Sequence, residues 1–100
     1  MVIVGGTLEV EPDRREEFLA GRLDAMRASR AEAGCLEYVM SADPLEPGRV
    51  VLFERWADQA SLDAHLAGAK TAPAPAPGAA TATSAMILVY DVSGKRPLGG

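Results

Sequence analysis

The sequence predicts an α+β domain of ferredoxin-like order, strand–helix–strand–strand–helix–strand, with a four-stranded antiparallel sheet and both helices on one face. Three observations predict it. Four short runs alternate apolar and other residues with period two. Two longer runs repeat apolar residues with helical spacing. The turn-forming run Asp43-Pro44-Leu45-Glu46-Pro47-Gly48 joins the second and third strands as a hairpin. At 100 residues this is one domain, 1–100.

The first strand covers Val2 to Val10, with Val2, Val4, Leu8 and Val10 on one face and Ile3, Gly5, Thr7 and Glu9 on the other. Asp13 followed by Glu16 forms a capping-box pattern that starts a helix from about Arg14 to Ala33. Phe18, Leu19, Leu23, Met26 and Ala33 share one side of it, and Gly34 ends it. Leu36, Tyr38 and Met40 alternate with Cys35, Glu37 and Val39 in the second strand. Val50 to Trp56 is the third strand. Asp58 caps a second helix that places Leu62, His65, Leu66 and Ala69 together. From Thr71 to Ser84 the chain is Ala, Pro, Thr and Gly, and Pro73, Pro75 and Pro77 favour an extended loop over a helix. Ala85 to Val92 is the fourth strand, and 93–100 reads as a loose tail.

Several classes of function are disfavoured. A net charge of -4 gives no basic stripe for nucleic acid. No apolar run approaches the roughly 20 residues of a membrane span. The lone Cys35 has no internal disulfide partner and suits a reducing compartment. The opening Met1-Val2-Ile3-Val4 lacks a basic segment before it and breaks at Gly5-Gly6, unlike a signal peptide. A soluble cytoplasmic protein is expected. One histidine and one cysteine do not make a usual zinc site, and Gly5-Gly6 is not a dinucleotide fingerprint.

Both sheet faces are apolar. Val51 and Phe53 oppose Val50, Leu52 and Trp56; Ile87 and Val89 oppose Met86, Leu88, Tyr90 and Val92. Helices cover one face. The other needs a cover, and a second copy of the same sheet supplies it, so a homodimer is expected.

Gly34-Cys35-Leu36-x-Tyr38, the hairpin, Phe53-Glu54-x-Trp56 and Leu62-x-Ala64-His65 resemble the antibiotic biosynthesis monooxygenase domain of the dimeric α+β barrel superfamily. The resemblance covers about residues 1 to 70 and the last strand. It implies a dimer with a pocket between sheet and helices in each subunit. It also implies oxygenation of a quinol, phenol or anthrone-type aromatic by molecular oxygen without a cofactor. Haem-degrading relatives use a first-strand asparagine, and this chain contains none. Relatives continue the second helix with apolar helical sequence, where this chain has its Ala/Pro tract. Two other readings stay open: a non-catalytic binding or accessory domain, and an isomerase or cyclase using the same pocket.

Cofactor-independent oxygenation asks for an apolar cavity and one base or hydrogen-bond donor. His65, with an ordinary pKa of roughly 6.5, is the candidate base, and Trp56 offers an N–H to a substrate oxygen. Tyr38 and Glu54 are candidate polar contacts, Phe18 and Met26 candidate walls, and Arg22 a candidate anion-attracting group at the pocket mouth. Each also has a packing explanation: core aromatic, strand tyrosine, structural carboxylate, core apolar residue or snorkelling arginine.

Overall fold

The computed structural model describes residues 1–99. Its order is β1 (Val2–Glu9), a 3₁₀ turn (Pro12–Arg14), α1 (Arg15–Ala20), α2 (Leu23–Arg30), β2 (Cys35–Ala42), β3 (Arg49–Trp56), α3 (Gln59–Lys70) and β4 (Ser84–Asp91). The strands form one antiparallel sheet in the order β2-β3-β1-β4. This is the expected ferredoxin-like α+β fold. The helices lie over β2 and β3.

Register assigns the faces. Val2 pairs with Trp56, Val4 with Glu54 and Leu8 with Val50, so these six side chains share the helix side. Tyr38 and Met40, opposite Glu54 and Leu52, join them. Val2, Val4, Tyr38, Leu52 and Trp56 meet Met26 and Leu62 in the main core; Val10, Phe18 and Val50 form a second cluster. Leu8 and Met40 pack against both. The opposite face carries Ile3, Val39, Val51, Phe53, Met86, Leu88 and Tyr90, and no element among the described residues covers it. Leu88 and Tyr90 are each 50% exposed.

The single helix expected over 14–33 is two helices. Gly21 N–H donates to Glu17 and Arg22 N–H to Leu19, a tightening to three-residue spacing that breaks the α-helical ladder. Glycine weakens a helix interior by about 1 kcal/mol relative to alanine, and the break falls there. The second segment is turned relative to the first, so Met26 and Ser29 are buried while Leu23 and Ala33 face solvent. The Asp13–Glu16 capping box does not form either: neither the 3₁₀ turn nor α1 has a side-chain cap, because Pro12 opens a separate turn ahead of the helix. Asp58 does cap α3, accepting from the Ser61 N–H at 2.8 Å and its hydroxyl at 2.7 Å.

Two glycines are required by close approach. A β-carbon on Gly6 would collide with the Met86 carbonyl oxygen, so β1 and β4 can meet there only without one. Gly34 has φ +80°, and a β-carbon there would strike the Ser61 side chain. Its carbonyl accepts from Ala57 N–H at 2.8 Å, tying the entry of β2 to the exit of β3. Arg15 secures the hairpin at the other end, donating to the carbonyls of Asp43, Glu46 and Arg49.

Between α3 and β4 the Ala/Pro tract forms an extended strap. The Arg14 guanidinium donates to the Gly78 carbonyl at 2.6 Å, and Ala80 N–H donates to Glu17 at 2.9 Å. Arg14 and Glu17 pair with each other at 2.7 Å, so one ion pair holds two points of the strap backbone. Thr83 N–H bonds the Glu9 carbonyl and leads into β4. No helix covers β4, and Ile87 and Val89 stay exposed on its helix side.

Candidate functional site

Four of the expected site residues form one buried cluster at the seam of β2, β3 and α3. Trp56 is completely buried. Its indole N–H, expected to be free for a substrate oxygen, donates to Glu54 Oε1 at 3.0 Å. The two lie two places apart on one strand, so their side chains rise from the same face. The His65 ring packs on Trp56, with centroids 4.7 Å apart and planes at 35°, and on Tyr38 at 5.5 Å. Met26 packs into the same core.

His65 stands between two carboxylates. Its Nδ1 lies 2.9 Å from Glu32 Oε2. A carboxylate accepts, so Nδ1 donates this hydrogen bond. Nε2 is 3.9 Å from Glu54 Oε1, too far for a hydrogen bond. The imidazole is only 12% exposed, whereas the Glu32 side chain is 39% exposed and reaches solvent. Glu32 was not among the residues singled out by sequence. It precedes Gly34 in a polar turn, and nothing in its local pattern shows a partner 33 residues on.

Burial raises the Glu54 pKa, while the Trp56 N–H and His65 pull it down and Glu32 raises it further. Burial also raises the Tyr38 pKa, and the nearby Glu54 charge adds to this. The Arg22 charge, together with hydrogen bonding from Ser29 and Arg22, acts the other way. The Cys35 thiol is pushed up by burial and by Glu32 and Glu54, which keeps it from being a thiolate nucleophile. Among the described residues no three His, Cys, Asp or Glu side chains converge to hold a metal ion.

The remaining expected residues, Phe18 and Arg22, lie elsewhere. They line a cavity of about 620 Å³ between α1, the helix side of the sheet and the strap. Leu8 and Met40 form its floor, and Pro73, Pro75, Ala76, Ala79, Ala80 and Ala82 its outer wall. Neither Trp56 nor His65 lines it. Leu8 and Met40 separate cavity from cluster, packing against each. Arg22 lines the cavity, and its charge acts on the Tyr38 pKa across that boundary. The strap's part in the cavity was not readable from sequence. Its composition predicts extension, but its path depends on Arg14 and Glu17 gripping the backbone.

A four-stranded antiparallel sheet with helices on one face and a cavity beneath a strap defines a ferredoxin-like α+β protein with an internal pocket. Residues 1–72 match the family model described as antibiotic biosynthesis monooxygenase, and the chain belongs to that family. It is 32% identical over 65 residues to "Putative monooxygenase YcnE" of Bacillus subtilis strain 168, covering 65% of this chain and 68% of that protein. It is 38% identical over 64 residues to "Uncharacterized protein sll1783" of Synechocystis, covering 64% of this chain and 44% of that longer protein. In three dimensions it is similar to the crystal structure of "a putative antibiotic biosynthesis monooxygenase" from Deinococcus radiodurans, with TM-score 0.77, 25% identity and 97% of each chain covered. No helix among the described residues is long and apolar enough to cross a membrane.

Proposed function

We propose that the protein is a cofactor-independent monooxygenase that oxidises a small phenolic, quinol or anthrone-type aromatic with molecular oxygen, working as a homodimer. The observation that carries this reading is the cavity beneath the strap. At about 620 Å³ it has the size of a small-ligand pocket, with mostly apolar walls. Phe18 and Met40 suit a flat ring, and the pocket stays open to solvent on one side. Family membership and the YcnE name support oxygenation as the chemistry.

For an anthrone-type methylene the overall change is CH₂ + O₂ → C=O + H₂O. A base removes a proton, the anion passes an electron to dioxygen, carbon and oxygen join, and loss of water leaves the carbonyl. The substrate supplies all four electrons, so no further reductant enters. Solvent at the open side of the cavity takes that proton, and the Arg22 charge favours the anion. His65, the base expected from sequence, lies outside the cavity behind Leu8 and Met40, with its Nε2 toward Glu54. Trp56 keeps Glu54 and the imidazole in place from behind. The residues do not fit a haem. The His65 ring is packed between Trp56 and Tyr38, and its Nε2 faces the Glu54 carboxylate rather than open space. The homodimer is supported by the apolar sheet face that no element among the described residues covers.

Oxygen uptake with a simple hydroquinone or anthrone tests the reading. Ala79→Phe, which fills the cavity from the strap, is expected to abolish uptake without unfolding the domain. Uptake unchanged by Ala79→Phe would place the reaction outside the cavity. Turnover lost in His65→Ala with the fold intact would place the base at the imidazole instead.

A further inference from the structure

Arg22 differs from the other arginines of the folded body. Arg14 pairs with Glu17, Arg27 with Asp24, Arg49 with Glu9 and Arg55 with Glu37. Arg15 and Arg30 donate to backbone carbonyls. Among the described residues Arg22 makes no ion pair, although it is half-buried and lines the cavity. A guanidinium drawn partly out of water without an anion carries an unrepaid desolvation cost. Helix propensity does not require it, since the chain breaks from helix at this residue.

The cavity's other charged residue does not answer Arg22. Glu17 is held by Arg14 and by the Ala80 N–H. With that pair neutral, the wall carries one uncompensated positive charge. Around it stand Leu8, Phe18, Met40 and the small residues of the strap. A flat apolar body with one anionic end matches this arrangement, and guanidinium recognises carboxylate in two-point fashion.

We propose that Arg22 is an anion subsite and that the cavity's ligand is an aromatic acid, a flat ring system bearing a carboxylate. This deepens the reading of the cavity as the substrate site and rests on it.

Calorimetric titration with two non-reacting probes tests the proposal: 1-hydroxy-2-naphthoate, and 1-naphthol, the same ring without the carboxylate. The acid is expected to bind at least tenfold more tightly than the naphthol. Arg22→Met is expected to bring the two within about twofold, by weakening the acid alone, and Arg22→Lys to restore part of the preference. Arg22→Gln serves if Arg22→Met melts lower than the native protein. Equal binding of both probes, blocked by Ala79→Phe, overturns the anion subsite and leaves the cavity standing. A preference unchanged by Arg22→Met and Arg22→Gln overturns it too. Failure of both probes to bind, or binding untouched by Ala79→Phe, overturns the cavity as the site and the proposal with it.

Discussion

Replacing Trp56 with phenylalanine tests whether the polar core beneath β3 is a set of interactions or only packing. The residue is completely buried, and its N–H is the only hydrogen bond to the Glu54 carboxylate within 3.5 Å among the described residues. Phenylalanine keeps an aromatic ring but leaves a gap where the rest of the indole stood. Partial truncations of this kind cost about 1–2 kcal/mol, below the 3–5 of a full Trp→Ala. Taking the donor from a buried oxygen adds about 1–3 kcal/mol. The sum, roughly 2–5 kcal/mol, is a large part of the 5–15 kcal/mol that holds a domain together. At about 4–8 °C per kcal/mol for a domain of this size, a fall in Tm of at least about 10 °C is expected. Urea unfolding followed by far-ultraviolet circular dichroism measures it, since the only indole is gone, with protein concentration held constant. A cycle with Glu54→Met isolates the bond. With the carboxylate absent there is no acceptor to strand, so the double variant should lose about 1–3 kcal/mol less than the two single losses added together. Additivity within about 0.5 kcal/mol would refute the reasoning.

Glu54 also gives a pH signature. Its folded pKa is raised above the ordinary 4.5, chiefly by burial, so the folded state holds this proton more tightly than the unfolded chain. Its contribution is therefore intact below 4.5 and is lost as pH rises through the folded value; Glu54→Gln should flatten that limb of a Tm-against-pH curve, and an unchanged slope would contradict the burial argument. Gly6→Ala forces a β-carbon into the Met86 carbonyl and should lower Tm sharply or prevent folding, whereas Gly68→Ala, with nothing near it in α3, should raise stability by about 0.5–1 kcal/mol in the same melt. Leu88→Arg, on the uncovered sheet face, should turn a sedimenting dimer into a folded monomer, and a native protein that sediments as a monomer at high concentration would remove the proposed assembly.

The strands were legible because a sheet with a buried face enforces period two. Val50, Leu52, Glu54 and Trp56 show it in the sequence and share one buried face in the structure. Even the Glu54–Trp56 bond had its geometry in view, since the two residues occupy one face two places apart. What misled was chemistry: the indole N–H was assigned to a substrate oxygen, and Glu54 accepts it instead. The break at Gly21 left a local sign, a glycine inside a helical run, but apolar spacing across it outweighed that sign. Leu23 was assigned to the core on the phase of Phe18, and three-residue spacing at Arg22 destroyed that phase. Glu32 and the strap were illegible for a different reason. Their contacts join segments far apart in the chain, and no local pattern encodes where an extended tract of alanine and proline will lie.

That tract reads as low complexity, yet its composition makes room. Every strap side chain on the cavity wall is alanine, proline or threonine. Proline keeps the segment extended without helical hydrogen bonds, and alanine reaches little more than a methyl group inward. Leucine or methionine at Ala76, Ala79 and Ala80 would meet Phe18 and Met40 and close the space. A covering helix with an apolar stripe would do the same, since such a stripe packs to native density. The strap instead spans the sheet with backbone held by Arg14, Glu17 and Glu9, and leaves Phe18, Met40 and Arg22 facing a void. Apolar walls left against water and a half-buried cation without an anion both cost free energy. Both costs fall when a flat anionic guest enters, which is why cavity and charge point to the same ligand.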